Sequence, residues 1–292
     1  MKEKIPLAPR IPKKTLALAT ASIAVSAICV VAPNITASAS SPSATPASSM
    51  SERMSSFEKF EASTYRDTDG QWIVNGDEAI RTRTELRAFY DMLNGKSPAK
   101  SGQKLIVNQV YGEDDVWTSS QVGRLTYCVS TRFGSNHSRI VEAMRSGAAQ
   151  WERASSAIGF EYVSSENGSC DTRNRNVVFS VEPASSSAPY IARAFFPSSP
   201  KYSRNVLVNT RSIFGGSSSA SNVMAHELGH VLGLRHEHTR PESGTCFEDN
   251  SWRPLTKYDA SSIMHYPQCN GTSRSLSMTS TDIAGIRELY GR

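Results

Sequence analysis

Several features are scarce in this 292-residue chain, and each scarcity removes a class of function. No two of the five cysteines stand at a Cys-x-x-Cys type of spacing, which argues against a cysteine zinc site. Beyond Thr15–Ala32 no stretch is apolar enough to cross a bilayer. No internal repeat and no aromatic module of a wall-binding kind is present. Basic charge is scarce where it would matter: of the net +5, residues 1–50 hold Lys2, Lys4, Arg10, Lys13 and Lys14 against Glu3, so the rest of the chain is nearly neutral. A protein that neutralises many phosphates needs a basic field on its folded domain, so nucleic acid is not an expected partner. The 38% hydrophobic and 20% charged content suits one or two domains with a real core and is too mixed for a disordered or fibrous chain.

The N-terminus carries a basic stretch ending Lys13-Lys14, the apolar run Thr15–Ala32, and Ala37-Ser38-Ala39, which has the small-x-small form of a signal-peptidase site. Residues 1–39 therefore read as a cleaved export signal, and the mature protein is expected outside the cell with no stable membrane span. The rival is a membrane anchor, but no basic cluster follows the run. Cys29 is preceded by Ile28, not by the small residue that lipidation requires. Export leaves Cys128, Cys170, Cys246 and Cys269, an even number bound for an oxidising compartment. Of three possible pairings, the local one (128 with 170, 246 with 269) closes modest loops and is preferred.

Residues 40–56 are Ser-rich, with almost no large apolar side chain, and read as a flexible linker. Residues 57–116 follow as a separate segment. In it Gln71–Asn75 is strand-like, and Glu78–Leu93 is helix-like with Ile80, Leu86, Phe89, Tyr90 and Leu93 apolar. Gly95–Lys104 is a polar break. From about Trp117 to the end, the pattern is that of an α+β domain. Strands are expected at Leu125–Val129, Phe160–Val163, Asn176–Val181, Ile191–Phe196 and Asn205–Asn209. A helix capped by Asn136 or Ser138 should run to about Ala154 and bury Ile140, Met144, Ala148 and Trp151. A second should begin near Ser219–Ser221, and a third, Ser280–Tyr290, should bury Ile283, Ile286 and Leu289.

Five of the six histidines lie within residues 226–265. His226 and His230, four apart on a helix, are separated by about 40° and 6 Å, so both imidazoles can share one ion. Glu227 points about 100° away, within reach of a water on that ion. A straight helix would carry residue 236 about 9 Å past His230 and off the shared face. Gly233 can end the helix in the left-handed conformation and let His236 fold back. Three histidines leave a fourth position of a tetrahedral Zn2+ open, the mark of a catalytic site. His137 reads as a surface residue, and His238 and His265 as supporting residues, not ligands.

The pattern His226-Glu227-x-x-His230-x-x-Gly233-x-x-His236 resembles the metzincin zinc endopeptidases. Ser262-Ile263-Met264-His265-Tyr266 resembles their methionine-containing turn beneath the metal. Glu237 and the run His236–Arg240 are most similar to astacins, or to related bacterial metzincins. The continuation through Pro241-Glu242, Cys246 and Pro267-Gln268-Cys269 departs from the typical astacin pattern, so astacin disulfides are not carried over. The resemblance covers about residues 117–292. It implies a catalytic domain with a twisted mixed sheet, two long helices, the Met-turn and a C-terminal helix.

The same resemblance, together with the chemistry, implies a secreted zinc endopeptidase acting on protein or peptide substrates, made as a precursor and working as a monomer. One Zn2+ on His226, His230 and His236 would acidify a water and polarise the scissile carbonyl. Glu227 would be the general base. Met264 would form an apolar floor. Tyr266 either stabilises the developing oxyanion or is a packed aromatic. Glu237 would pair through water with a processed N-terminus. Astacin propeptides can block zinc with the aspartate of a Phe-x-Gly-Asp sequence, and Val74-Asn75-Gly76-Asp77 resembles it, so the resemblance implies that residues 57–116 are a propeptide and makes Asp77 a possible switch. The same residues also read as a plain Asn-Gly-Asp turn. A cysteine switch is excluded, since residues 40–127 hold no cysteine. Substrate would add a strand near Ala192–Phe195. The alternative reading is a non-catalytic binding module on a metzincin scaffold.

Overall fold

The computed structural model describes residues 57–94, 105–216 and 218–292. The export signal 1–39, the linker 40–56 and the break at Gly95–Lys104 lie outside the described residues.

The N-terminal segment opens with helix α1 (Phe57–Ser63), turns at residues 67–71 and continues into the antiparallel hairpin of β1 (Trp72–Val74) and β2 (Glu78–Ile80). Helix α2 (Arg83–Leu93) follows. The expected single helix over Glu78–Leu93 is thus corrected. Residues 78–80 pair across the Asn75-Gly76 turn with β1, and the helix starts only where Thr82 can cap it. Thr82 Oγ1 accepts from the Glu85 amide at 3.1 Å while the Glu85 carboxylate accepts from the Thr82 amide at 3.3 Å. The two faces of β1 divide its loyalties. Trp72 and Val74 close a small core with Phe57, Leu86, Phe89 and Tyr90. Ile73 packs instead on Ala188, Tyr190 and Leu207 of the larger domain.

Strand β3 (Ile106–Val110) lies between β4 (Glu113–Asp114) and the distant β10 (Trp252–Pro254), both antiparallel to it. After a single turn, α3 (Ser119–Val122), the main sheet begins. It comprises β5 (Leu125–Val129), β6 (Phe160–Tyr162), β7 (Phe179–Pro183), β8 (Ala192–Arg193) and β9 (Asn205–Val208), in spatial order β6-β5-β7-β9-β8. The first four run parallel, and β8 is antiparallel at the edge, with Ala192 opposite Val208 and Arg193 opposite Leu207. β8 is shorter than the expected Ile191–Phe196 because only two of its residues pair with β9. β7 is displaced from the expected Asn176–Val181 because its pairing with β5 and β9 begins near Phe179.

One face of the sheet, through Val181, Val206 and Val208, packs on α4 (His137–Ala154) and α6 (Ala220–Val231). α4 buries Ile140, Met144, Ala148 and Trp151, the expected stripe. It is not capped by a side chain of Asn136 or Ser138. A 3₁₀ turn, Thr131–Asn136, runs straight into it and leaves Asn136 already helical. Short α5 (Thr210–Ile213) precedes α6, and α7 (Ser280–Tyr290) closes the chain, burying Ile286 fully and Ile283 and Leu289 in part. Disulfides join Cys128 to Cys170 and Cys246 to Cys269, the local pairing. The α+β architecture with a mixed sheet and two long helices is therefore present.

Three donors from distant parts of the chain fix the C-terminal half of α6. The indole of Trp151 donates to Ala225 O at 2.7 Å and that of Trp117 to Val231 O at 2.7 Å, while Tyr290 Oη donates to Leu232 O at 2.8 Å.

Candidate metal centre

Helix α6 starts at Ser219, whose hydroxyl accepts from the Asn222 amide at 3.2 Å, and presents His226, Glu227 and His230 in a fully buried run. The helix ends at Gly233, whose φ of +93° lies in the left-handed region. The Gly233 and Leu234 amides donate to His230 O and Gly229 O at 2.9 Å each, closing the last turn. A side chain at 233 would lie 2.3 Å from Asp115 O, so the chain must pass here as glycine. It then returns His236 to the histidine pair, and the Glu237 amide donates to Met264 O at 2.8 Å, tying the returning chain to the turn below.

That turn is held by Asp282 of α7. Its carboxylate accepts from Ser262 Oγ at 2.5 Å and from the Ile263 amide at 3.0 Å, while also capping α7 through Thr279. Met264 packs its sulfur against the helix backbone where a side chain on Gly229 would otherwise stand. Ile263 O in turn receives His226 Nδ1 at 2.7 Å.

Each of the three rings is oriented through Nδ1. His226 donates to Ile263 O, His230 to Leu234 O at 2.8 Å, and His236 to Glu248 Oε1 at 2.6 Å. Because these partners only accept, each Nδ1 carries a proton and each Nε2 is the atom turned to the centre of the site; burial opposes a charge on His236, but Glu248 and Asp77 outweigh it and hold that imidazole well above its ordinary value. All three Nε2 atoms are buried with no hydrogen-bond partner among the described residues. They face one more side chain. Asp77 Oδ2 lies 3.3 Å from His226 Nε2, and Oδ1 lies 3.1 Å from His236 Nε2 and 3.7 Å from His230 Nε2. These four ligand atoms lie within 4.8 Å of one another. Three unpartnered imidazole nitrogens converging with a carboxylate oxygen suit a Zn2+ ion, whose usual donors are imidazole nitrogen and carboxylate oxygen and which takes the place of a ring proton when it binds.

Asp77 follows Asn75 and Gly76, both with positive φ, so it belongs to a tight turn and faces the histidines as well. The Tyr266 hydroxyl donates to Asp77 Oδ2, and the Tyr266 ring stacks on His226 with centroids 5.5 Å apart. A Cβ on Gly76 would lie 3.1 Å from that ring. Glu227 is fully buried, and its Oε2 has no partner among the described residues. Beside it a cleft of about 370 Å³ is lined by Asp77, Tyr190, Ala192, Glu227, Tyr266 and Leu276, among others.

Burial pushes Glu227 well above the usual carboxylate range, and the Asp77 charge adds to this, while His236 and Arg193 pull it down. Burial opposes a charge on Asp77 too, but His236, His226 and His230 overcome it and hold that carboxyl well below its ordinary value. Burial lowers His230 to about 3. Glu248, also buried, is held low by the charge and hydrogen bond of His236, with His238 and Arg235 adding to them.

Glu237 is buried and accepts from Arg240 Nη1 and the Asp259 amide at 3.0 Å each, with Oε2 unpartnered among the described residues. His238 donates to Glu248 at 3.1 Å, and His265 meets Tyr258 Oη at 2.8 Å, so both are held by protein groups. His137 is partly buried against Val129 O. Sequence reasoning missed Asp282 and Glu248. The Thr279-x-x-Asp282 spacing was a legible helix cap, but nothing local marks Glu248.

The family model Reprolysin_5, described as metallo-peptidase family M12, matches residues 125–277. No curated protein matches the chain. Among solved structures, myroilysin aligns at 18% identity and a TM-score of 0.42, over 64% of this chain and 98% of that one.

Proposed function

This chain belongs to metallo-peptidase family M12 and is a zinc-dependent peptidase of the metzincin type, and from that premise we propose that it is a secreted endopeptidase made as a latent precursor. One observation carries the reading: three oriented imidazoles whose Nε2 atoms, among the described residues, meet the carboxylate of Asp77 and no hydrogen-bond partner.

His226, His230 and His236 would hold the Zn2+ ion, their Nε2 atoms being the ones turned to the centre of the site. When bound, it supplies the Lewis acidity that acidifies a water and polarises the peptide carbonyl. Glu227 takes the proton of the attacking water on its carboxylate and returns it to the leaving amine nitrogen. Desolvation of Glu227 keeps that proton transfer away from bulk water. Tyr266 Oη, already a donor to Asp77, donates to the carbonyl oxygen as negative charge grows there. Substrate lies along the free edge of β8 as an added antiparallel strand, a common way of gripping extended peptides.

Residues 57–94 act as the latency segment. Asp77 fills the place of the reacting groups, the Gly76 turn fits against Tyr266, and Ile73 anchors the hairpin on Tyr190 and Leu207. The disulfides suit an extracellular destination, and no helix among the described residues is long and apolar enough to cross a membrane.

The test is casein cleavage by the full chain after removal of its N-terminal segment, with and without a zinc chelator, beside a Glu227→Ala variant that retains zinc. Loss of cleavage in both controls supports the mechanism. Zinc bound by an intact, processed protein that cleaves nothing would replace it with the binding-module reading.

A further inference from the structure

The outer face of the sheet, away from the histidines, carries a buried charge cluster that the peptidase reading does not use. Arg193 of β8 has a side chain with no solvent exposure at all. Its Nε donates to Asp67 Oδ2 at 2.9 Å, its Nη2 to Asp69 Oδ2 at 2.5 Å, and its Nη1 to Asn205 Oδ1 at 3.3 Å. Tyr190 Oη also donates to Asp67 Oδ2. The two carboxylates come from the 67–71 turn of the N-terminal segment, whereas Tyr190, Asn205 and the guanidinium belong to the catalytic domain. Losing the segment strips the cation of both anions and leaves it, among the described residues, one amide oxygen. A guanidinium so placed strongly favours a new carboxylate, which it can meet with paired, charge-assisted hydrogen bonds.

The location makes a substrate side chain the natural source. β8 is the sheet edge, and Ala192, next to Arg193, lines the cleft beside Glu227. Neighbouring residues of a strand point to opposite faces, so Ala192 turns toward the cleft and Arg193 toward the outer face, opposite Leu207. A peptide added antiparallel to β8 sends alternate side chains to that same outer face, where the residue opposite Arg193 comes within contact range.

We propose that Arg193, with Tyr190 and Asn205, forms a subsite of the processed enzyme for an aspartate or glutamate side chain of the substrate, and that Asp67 and Asp69 occupy this subsite in the precursor. The proposal rests on the peptidase reading and adds a substrate class to it: extended peptides with an acidic residue a short distance from the cleaved bond.

The experiment uses the full chain, folded and then freed of its N-terminal segment by limited proteolysis. Peptides with amidated C-termini, so that no terminal carboxylate can substitute, carry Asp or its neutral isostere Asn at each of the positions flanking a fixed cleavage site. Expected is one position at which Asp exceeds Asn by about tenfold to a hundredfold in kcat/KM, mostly through KM. In Arg193→Gln the Asp-to-Asn ratio falls to about one. Tyr190→Phe, which keeps the ring that packs on Ile73 and removes the hydroxyl, lowers the ratio in part and stands in if the Arg193 variant does not fold. Equal cleavage of the two series at every position, or an acidic preference that survives Arg193→Gln, overturns the subsite while leaving the peptidase reading standing. Cleavage of neither series by zinc-loaded, processed protein refutes the peptidase reading, and the subsite with it.

Discussion

The carboxylate of Asp77 stands 3.1 Å from Nε2 of His236, although 159 residues separate the two in the chain. Both are completely buried or nearly so. Replacing Asp77 with Ala in the unprocessed chain should therefore raise casein hydrolysis by at least about tenfold, because a charge-assisted contact to the site is removed while Gly76 and Ile73 still dock. The rate is compared with that of an Asp77→Ala, Glu227→Ala double variant. A rise in both would point to a contaminating protease, and no rise in either would relieve Asp77 of the blocking role.

Glu227→Gln keeps the shape of the side chain and removes its basicity. In processed enzyme kcat should fall by about 10²- to 10⁴-fold with KM little changed. Zinc content, measured by atomic emission, should stay at one ion per chain. Activity within threefold of wild type would assign the proton transfer to another group.

Glu248 orients the third imidazole, and also accepts from Arg235 Nη2 at 3.2 Å. A carboxylate behind a ligating histidine raises its basicity and fixes its ring. Glu248→Gln should weaken zinc binding by about 10- to 100-fold in a chelator competition. Glu242→Gln, on a carboxylate whose hydrogen bond among the described residues goes to Arg240, is the control. Equal affinities in the two variants would leave Glu248 with no part in metal binding.

The grip of the N-terminal segment should loosen in acid. Burial opposes the charge on Asp69, but Arg193 and the hydrogen bonds from Gln71 outweigh it, so the folded carboxyl titrates below its ordinary value. A depressed folded value means the stabilisation is complete above the unfolded pKa of about 3.9 and is lost as pH falls through the lower folded value. Melting temperatures of the unprocessed wild type and of Asp69→Asn, taken from pH 7 to pH 2, should differ at neutral pH and converge below about pH 4. A constant gap would show that the charge on Asp69 contributes nothing to docking.

How much of this could be read from the sequence depends on how local each cause is. The placement of His226 and His230 on one helical face follows from spacing, and the reversal at Gly233 from the one residue able to make it. Asp282 was missed although its Thr279-x-x-Asp282 cap spacing is local, and its second task, holding Ser262 and Ile263, depends on where α7 lands. Residues 78–80 deceived because an amphipathic helical pattern runs through them, while the pairing that makes them a strand lies across a turn. Val74–Asp77 reads as a turn from composition. That the turn faces the histidines is decided by Ile73 packing on Tyr190 and Leu207, more than a hundred residues away. Glu248 sits in a loop tethered by Cys246 and Cys269, and no nearby pattern says which way it turns.

The three hydrogen bonds that hold the end of α6 come from Trp117, Trp151 and Tyr290, one before the main sheet, one on the long helix and one in the last turn of the chain. Fraying of this helix by itself would strand all three donors in the core. The amide protons of residues 226–231 should therefore exchange with solvent only when the whole domain opens, and their exchange rates give a direct reading of its global stability.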